Sequence, residues 1–346
     1  MSLENTIKVG VGHSAATVGR IGHGLMMMTW RDPNFPIADE DAFAAIKAGI
    51  DALPPGAKMM LNSGDSYSND GGPANIRLLS RFFAKYPSYA DRTFLSVKGG
   101  AKPYTHIPDL SSENLRRSAT TVNAELGGVK KMDLFQFGRV PRAESGISLE
   151  DALGTLAQLR DEGHFAHIGM SECNAATLRR AHAITPISVV EIEVSLWSWE
   201  EETRKVIAAA RELGIAVAAY SPLGRGYLTG TLKSPKDLNP GDVRHLLDRF
   251  REDEMQHNFR LVESVKGIAE KKGATPAQLA LAWVLSRGDH IVPIPGSSSK
   301  TRNLENLAAA TIDLTAEDLA EIDRVLAEIP IKGGQYNDAW NTSLWG

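Results

Sequence analysis

A single cysteine, Cys173, is present in 346 residues, so no disulfide can form within the chain and a reducing compartment is expected. Charge of one sign is lacking too. The 38 Lys and Arg against 42 Asp and Glu leave a net charge of −4, with no basic stripe for nucleic acid or a membrane surface. No apolar run approaches the roughly 18 residues of a membrane span, and Met1-Ser2-Leu3-Glu4-Asn5 has no charged-then-apolar leader. These absences point to a cytoplasmic protein that binds neither nucleic acid nor membrane, and no feature specifies an oligomeric state. Metal-ligand spacing is missing as well: His164 and His167 lie three apart with no Cys or Asp partner, so no metal site is expected.

What the chain does have is an apolar fraction of 42% with 23% charged residues, the composition of a globular protein with a sizeable core. Short apolar runs alternate with helical stripes. Strand-like runs fall at 21–25, 59–62, 93–98, 132–140, 165–171, 187–196, 217–221 and 291–294. Helical segments follow at 39–50, 76–86, 112–126, 148–163, 175–184, 201–213, 275–286 and 301–309, several with Ser or Thr at the N-cap. The stretch 224–258 reads as a loop excursion, 259–271 as a helix, and 315–326 as an extra C-terminal helix before a tail. Eight strand–helix units without a composition break predict an α/β fold, a single-domain (β/α)8 TIM barrel over 1–346. The start holds a decoy: Gly10-Val11-Gly12-His13-Ser14-Ala15 fits G-x-G-x-x-A, but the glycine-rich residues after it do not suit a pyrophosphate-binding helix. An N-terminal hairpin leading into the first strand is the expectation there.

Barrels place their chemistry at the carboxyl ends of the strands. There the sequence sets Asn62 and Tyr67, Lys98, Gly138 and Arg139, Ser171, Glu191, Ser221, and the run from Gly296 to Arg302. A tyrosine of ordinary pKa near 10 needs a neighbour to exchange protons near neutrality, and Lys98, ending the next strand, is the candidate.

Those residues carry a resemblance. Asn62-x-Gly64-x-x-Tyr67, Ser96-Val97-Lys98-Gly99, Ile168-Gly169-Met170-Ser171-Glu172, Ala219-Tyr220-Ser221-Pro222-Leu223 and Ile294-Pro295-Gly296-Ser297-Ser298-Ser299-Lys300-Thr301-Arg302 resemble the aldo-keto reductases over about 21–310. Within them the chain is most similar to the fungal pyridoxal reductases, through Leu25-Met26, Thr29-Trp30-Arg31, Asp133-Leu134-Phe135-Gln136, Arg139-Val140 and Glu191-x-Glu193-x-Ser195-Leu196. The resemblance implies NADPH-dependent reduction of an aldehyde, with pyridoxal to pyridoxine the best single guess. A small-molecule aldehyde is then the partner. Tyr67 is implied as the acid, Lys98 as the lysine that lowers its pKa, and Asn62 as support, in place of the usual aspartate. Gly138 stands where a histidine usually orients the carbonyl.

On the cofactor side the resemblance implies Ser297, Ser299 and Arg302 at the 2′-phosphate, Glu305 and Asn306 at adenine, and Ser171 and Glu191 at the nicotinamide amide. Tyr220 is implied to stack on the nicotinamide, and Ser221, Leu223 and Arg225 to embrace the pyrophosphate. Trp30, Gly138, Arg139, Trp197 and Trp340 are the substrate-side candidates. The alternatives are a general aldehyde or ketone reductase of secondary metabolism, or a weakly active NADPH-sensing regulatory subunit resembling the potassium-channel β-subunits.

Overall fold

The computed structural model describes residues 6–10, 12–337 and 345. Its first element is the expected hairpin, β1 (Thr6–Val9) paired antiparallel with β2 (Ala16–Gly19), so the glycine-rich start is a turn and not a dinucleotide loop. Eight parallel strands follow: β3 (His23–Gly24), β4 (Met59–Gly64), β5 (Thr93–Gly99), β6 (Leu134–Phe137), β7 (His167–Ser171), β8 (Ile187–Glu193), β9 (Ala216–Tyr220) and β10 (Ile291–Pro293). Each pairs with the next in sequence. The ring closes where Gly22 and Gly24 donate to the carbonyls of Pro293 and Pro295 at 2.9 and 3.1 Å. A Cβ on Gly24 would come within 2.7 Å of the Ile294 carbonyl oxygen, so the glycines near β3 serve this close approach.

The helices cover the outside. α1 (Met26–Thr29) is a single turn, and α2 (Asp39–Asp51), α3 (Ala74–Lys85), α4 (Ser112–Glu125), α5 (Leu149–Asp161), α6 (Ala175–Ile184) and α7 (Glu201–Leu213) follow their strands in turn. α8 (Glu252–Lys271) begins seven residues earlier than the sequence pattern suggested, so part of the expected loop is helix. Before it, residues 224–250 form short 3-10 turns. α9 (Pro276–Ser286), α10 (Lys300–Ala308) and the extra α11 (Ala316–Glu328) complete the chain. Side chains of Ser111, Ser148, Asn174, Thr275, Ser299 and Thr315 accept backbone N–H groups at helix starts, as N-caps do. α8 and α11 are tied by Lys271–Glu321 and Lys272–Asp318 ion pairs, each 2.7 Å.

Side chains alternate in and out along a strand. The inward set changes character with height. Met60, Phe94, Leu134, Val189, Ala216 and Val292 pack with Ile7, Val9 and Val18 of the hairpin, a dry plug at the amino ends. Two and four residues further on, the same faces carry Asn62, Ser96 and Lys98, Gln136, Glu191 and Glu193, and Tyr220. One end of the barrel is closed by apolar packing, and the other is lined with groups that can do chemistry.

Candidate active site

The strand register builds the center of the site. Gly64 lies beside Lys98, Lys98 beside Gln136, and Ser171 beside Glu191. Tyr67 comes three residues after β4, and its backbone carbonyl accepts from the Thr29 hydroxyl at 2.7 Å. Asn75 holds that threonine in turn, donating to Thr29 Oγ1 and to the Leu25 carbonyl, and accepts from Ser63 at 2.7 Å. The ring of Tyr67 lies over Gly64, where a Cβ would sit 2.8 Å from it. This accounts for the glycine inside Asn62-x-Gly64-x-x-Tyr67.

Lys98 Nζ is 5.8 Å from the centre of the Tyr67 ring. Burial pushes the Tyr67 phenol up, and the charge of Glu191 adds to that. Lys98 pulls the other way without overcoming burial. The net direction is therefore opposite to the lowering read from the sequence, because desolvation outweighs the lysine. The phenol stays protonated at neutral pH, the state a proton donor needs.

Burial also pulls on Lys98, yet the Glu191 carboxylate and Tyr67 hold it above its ordinary value. Lys98 donates to Asn62 Oδ1 at 3.3 Å and makes a close ion pair with Glu191 Oε1. Glu191 Oε2 accepts from Asn62 Nδ2 and from Gln136 Nε2, both at 2.7 Å. The structure thus gives Glu191 the lysine as its neighbour, whereas the family resemblance implies a place at the cofactor amide. Gln136 was missed as a site residue. Its signal was a lone polar side chain on the inward face of an apolar strand, Leu134–Phe137.

Around this centre the mouth is rich in charge and strained backbone. Glu172, Ser221 and Arg225 hold φ of +53°, +47° and +54°, left-handed conformations that side chains rarely adopt and that cluster at functional sites. Burial drives the Glu172 carboxyl up to about 7 against the pull of the Arg139 guanidinium. Arg139 donates to the Gly138 carbonyl at 2.6 Å, and beside Gly138 a Cβ would meet nothing within 4 Å. Trp30 stands 6.1 Å from the Tyr67 ring and stacks on His106 at 4.2 Å, a histidine the sequence reading had not assigned. Trp197, expected on the substrate wall, is buried against Tyr227 and Phe250 with Arg249 over its ring. It braces the loop after β9. Trp340 lies outside the described residues.

The residues assigned to a dinucleotide fall into two groups. At the center, Ser171 Oγ is buried with no hydrogen-bond partner among the described residues, as suits an amide-bearing ring. Tyr220 ends β9, and its hydroxyl lies 3.1 Å from that of Tyr336 and accepts from Gln335 at 2.6 Å. Ser221, Leu223 and Arg225 form a tight turn whose carbonyls at 221 and 223 hold the N–H groups of 224, 226 and 228. Arg225 also reaches Glu193 at 3.5 Å.

The second group is at the start of α10. Ser299 caps the helix, Ser297 bonds to it, and Arg302 is exposed one turn in, a donor set that fits a phosphate. His23, also missed, holds this turn: Nε2 donates to the Ser297 carbonyl at 2.7 Å while Nδ1 accepts from Asn303. Burial drives His23 down to about 4, so it stays neutral. Asn306 is buried nearby, while Glu305 accepts from Thr275 at 2.7 Å and is drawn toward the start of α9.

Comparisons with known proteins bear on the family and the fold. Residues 20–327 match the Aldo/keto reductase family. The chain is 35% identical to probable pyridoxal reductase 2 of Schizosaccharomyces pombe, covering 94% of this chain and 97% of that one. It is 33% identical to probable aldo-keto reductase 1 of Glycine max, covering 97% and 94%. Among solved structures it superposes on a glycerol dehydrogenase of Gluconobacter oxydans with a TM-score of 0.77 at 19% identity, over 95% of this chain and 97% of that one. A thermostable aldo-keto reductase solved with epalrestat gives 0.69 at 22%, over 92% and 99%. Among the described residues no helix is long and apolar enough to cross a membrane, and no group of His, Cys, Asp and Glu could hold a metal ion. The chain is an oxidoreductase of the aldo/keto reductase family, whose members use nicotinamide cofactors.

Proposed function

We propose that this protein reduces an aldehyde to its alcohol with NADPH, with Tyr67 as general acid and pyridoxal as the best-matched substrate. The single observation that carries the reading is the half-buried Tyr67 phenol beside the Lys98 ammonium. When bound, NADPH supplies the hydride to the carbonyl carbon. Tyr67 gives its proton to the carbonyl oxygen as negative charge develops there, and Lys98 makes that loss easier by stabilising the phenolate left behind. Asn62 fixes Lys98 through its amide oxygen.

Preference for the phosphorylated cofactor rests on Ser297, Ser299 and Arg302. The planar guanidinium matches a phosphate, and neutral His23 keeps the serine turn in place. The adenine end is assigned to Asn306, with Glu305 beside it, and the nicotinamide to Ser171 and Tyr220. Gly138 leaves room beside the carbonyl, and Trp30 offers an aromatic wall near Tyr67, a combination that suits a flat aromatic aldehyde. Arg139 is a cation at the same rim, suited to an acidic hydroxyl on the aromatic ring. The name of the fungal relative, a probable pyridoxal reductase, supports the same substrate.

The test follows NADPH oxidation at neutral pH with pyridoxal and with nitrobenzaldehyde. A strong preference for pyridoxal supports the narrow reading, and equal turnover leaves a general aldehyde reductase. No turnover of either, with NADPH bound, replaces the enzyme by a cofactor-sensing subunit.

A further inference from the structure

A buried ammonium without a counter-charge is costly, so Lys98 requires an anion. The side chain at position 62 is a neutral amide, and it contributes only an oxygen 3.3 Å away. The carboxylate that meets Lys98 belongs to Glu191, 93 residues further along the chain and only 2% exposed. Asn62 lies between the two: Oδ1 faces the lysine and Nδ2 donates to Glu191 Oε2. An amide can accept from a cation and donate to an anion at once. A carboxylate at 62 would instead face Glu191 with like charge and no proton to share. Gln136 adds a second amide donor to the same Glu191 oxygen and fixes the carboxylate's orientation.

We infer that Asn62 and Glu191 form a matched pair, in which the counter-charge for the catalytic lysine lies on β8 rather than at position 62 on β4, and Glu191 is the positioning residue that holds Lys98 near Tyr67. The inference rests on the roles proposed above for Tyr67 and Lys98. It separates Glu191 from cofactor binding and makes the amide at 62 a requirement of the carboxylate at 191. The other charged groups facing this centre are Arg139 after β6, Glu172 after β7 and Glu193 two residues along β8. Among the described residues neither Glu172 nor Glu193 forms an ion pair with Lys98, and Arg139 carries the same charge as the lysine.

The experiment compares the wild type with Glu191→Gln, Glu191→Asp and the double exchange Asn62→Asp/Glu191→Gln. Tyr67 ionisation is followed by phenolate absorbance as a difference against Tyr67→Phe in each background. Aldehyde turnover and NADPH affinity are measured in parallel. Removing the anion from the pair leaves the lysine charge unopposed, so Tyr67 in Glu191→Gln titrates roughly one pH unit or more below the wild type. Its turnover falls tenfold or more, while NADPH affinity changes little. Glu191→Asp keeps the wild-type titration, and the double exchange restores both titration and turnover toward wild type.

A Tyr67 titration that Glu191→Gln leaves in place overturns the inference. So does a double exchange no better than the single, or a loss confined to NADPH affinity. If Glu191→Gln does not fold, the folded double exchange decides: wild-type titration supports the matched pair, and a lowered one overturns it. A wild type that turns over no aldehyde but shows the same titration pattern removes the proposed activity and leaves the charge pair standing.

Discussion

Tyr67 reaches over Gly64 so closely that a methyl group on the glycine would lie 2.8 Å from its ring. The position of the proton donor is therefore written into a residue that has no chemistry of its own. Gly64→Ala should push the ring off the Lys98 ammonium and lower kcat at least tenfold, with about 1–3 kcal/mol lost in stability from overpacking. Thermal unfolding and steady-state kinetics on the same preparation check both halves. Wild-type kcat in the alanine variant would mean that the ring position does not matter.

Tyr67→Phe keeps the ring and removes the proton. A positioned general acid contributes about 10²- to 10⁴-fold, so turnover should fall by that factor. NADPH affinity should change little, because none of the residues assigned to the cofactor bonds to the phenol. Fluorescence titration of NADPH beside the rate assay separates the two. Retained turnover removes Tyr67 from its role.

The parts of this site that the sequence made legible are those with local causes. The strand ends are marked by apolar runs, and Ser299 announces the start of α10 as an N-cap. The Lys98–Tyr67 neighbourhood followed from two successive parallel strands. What stayed hidden depends on closing the ring. His23 and Asn303 are 280 residues apart and meet only because β3 and β10 join, and Lys98 meets Glu191 only across β5 to β8. No periodicity carries such pairings. The direction of the Tyr67 shift was hidden for a related reason: a motif names the lysine but does not measure burial.

His23 ties the serine turn to the barrel seam, so its loss should weaken the grip on a 2′-phosphate more than on the rest of the cofactor. His23→Ala leaves the Ser297 carbonyl without its donor. NADPH affinity is expected to drop about tenfold, the scale of one lost hydrogen bond at about 1 kcal/mol or slightly more, with NADH affinity nearly unchanged. Equal losses for both cofactors would show that the turn does not read the phosphate.

Two buried groups at opposite sides of the mouth should give stability opposite pH slopes. His23 has a folded pKa of about 4 against an ordinary 6.5, so the unfolded chain takes up its proton first and stability is lost as pH falls from 6.5 toward 4. Glu172 is raised from 4.5 to about 7, so its contribution is full below 4.5 and is lost as pH rises toward 7. Between about 4.5 and 6.5 the two slopes oppose each other, and neither shows plainly in the wild type. Glu172→Asn removes the second and also places at φ +53° a residue that tolerates left-handed backbone. The gain over wild type should therefore grow from pH 4.5 to 7, reaching on the order of 3 kcal/mol. Denaturant unfolding of both proteins across that range measures the difference directly. A gain that does not depend on pH would credit backbone relief alone and return the Glu172 carboxyl to its ordinary range.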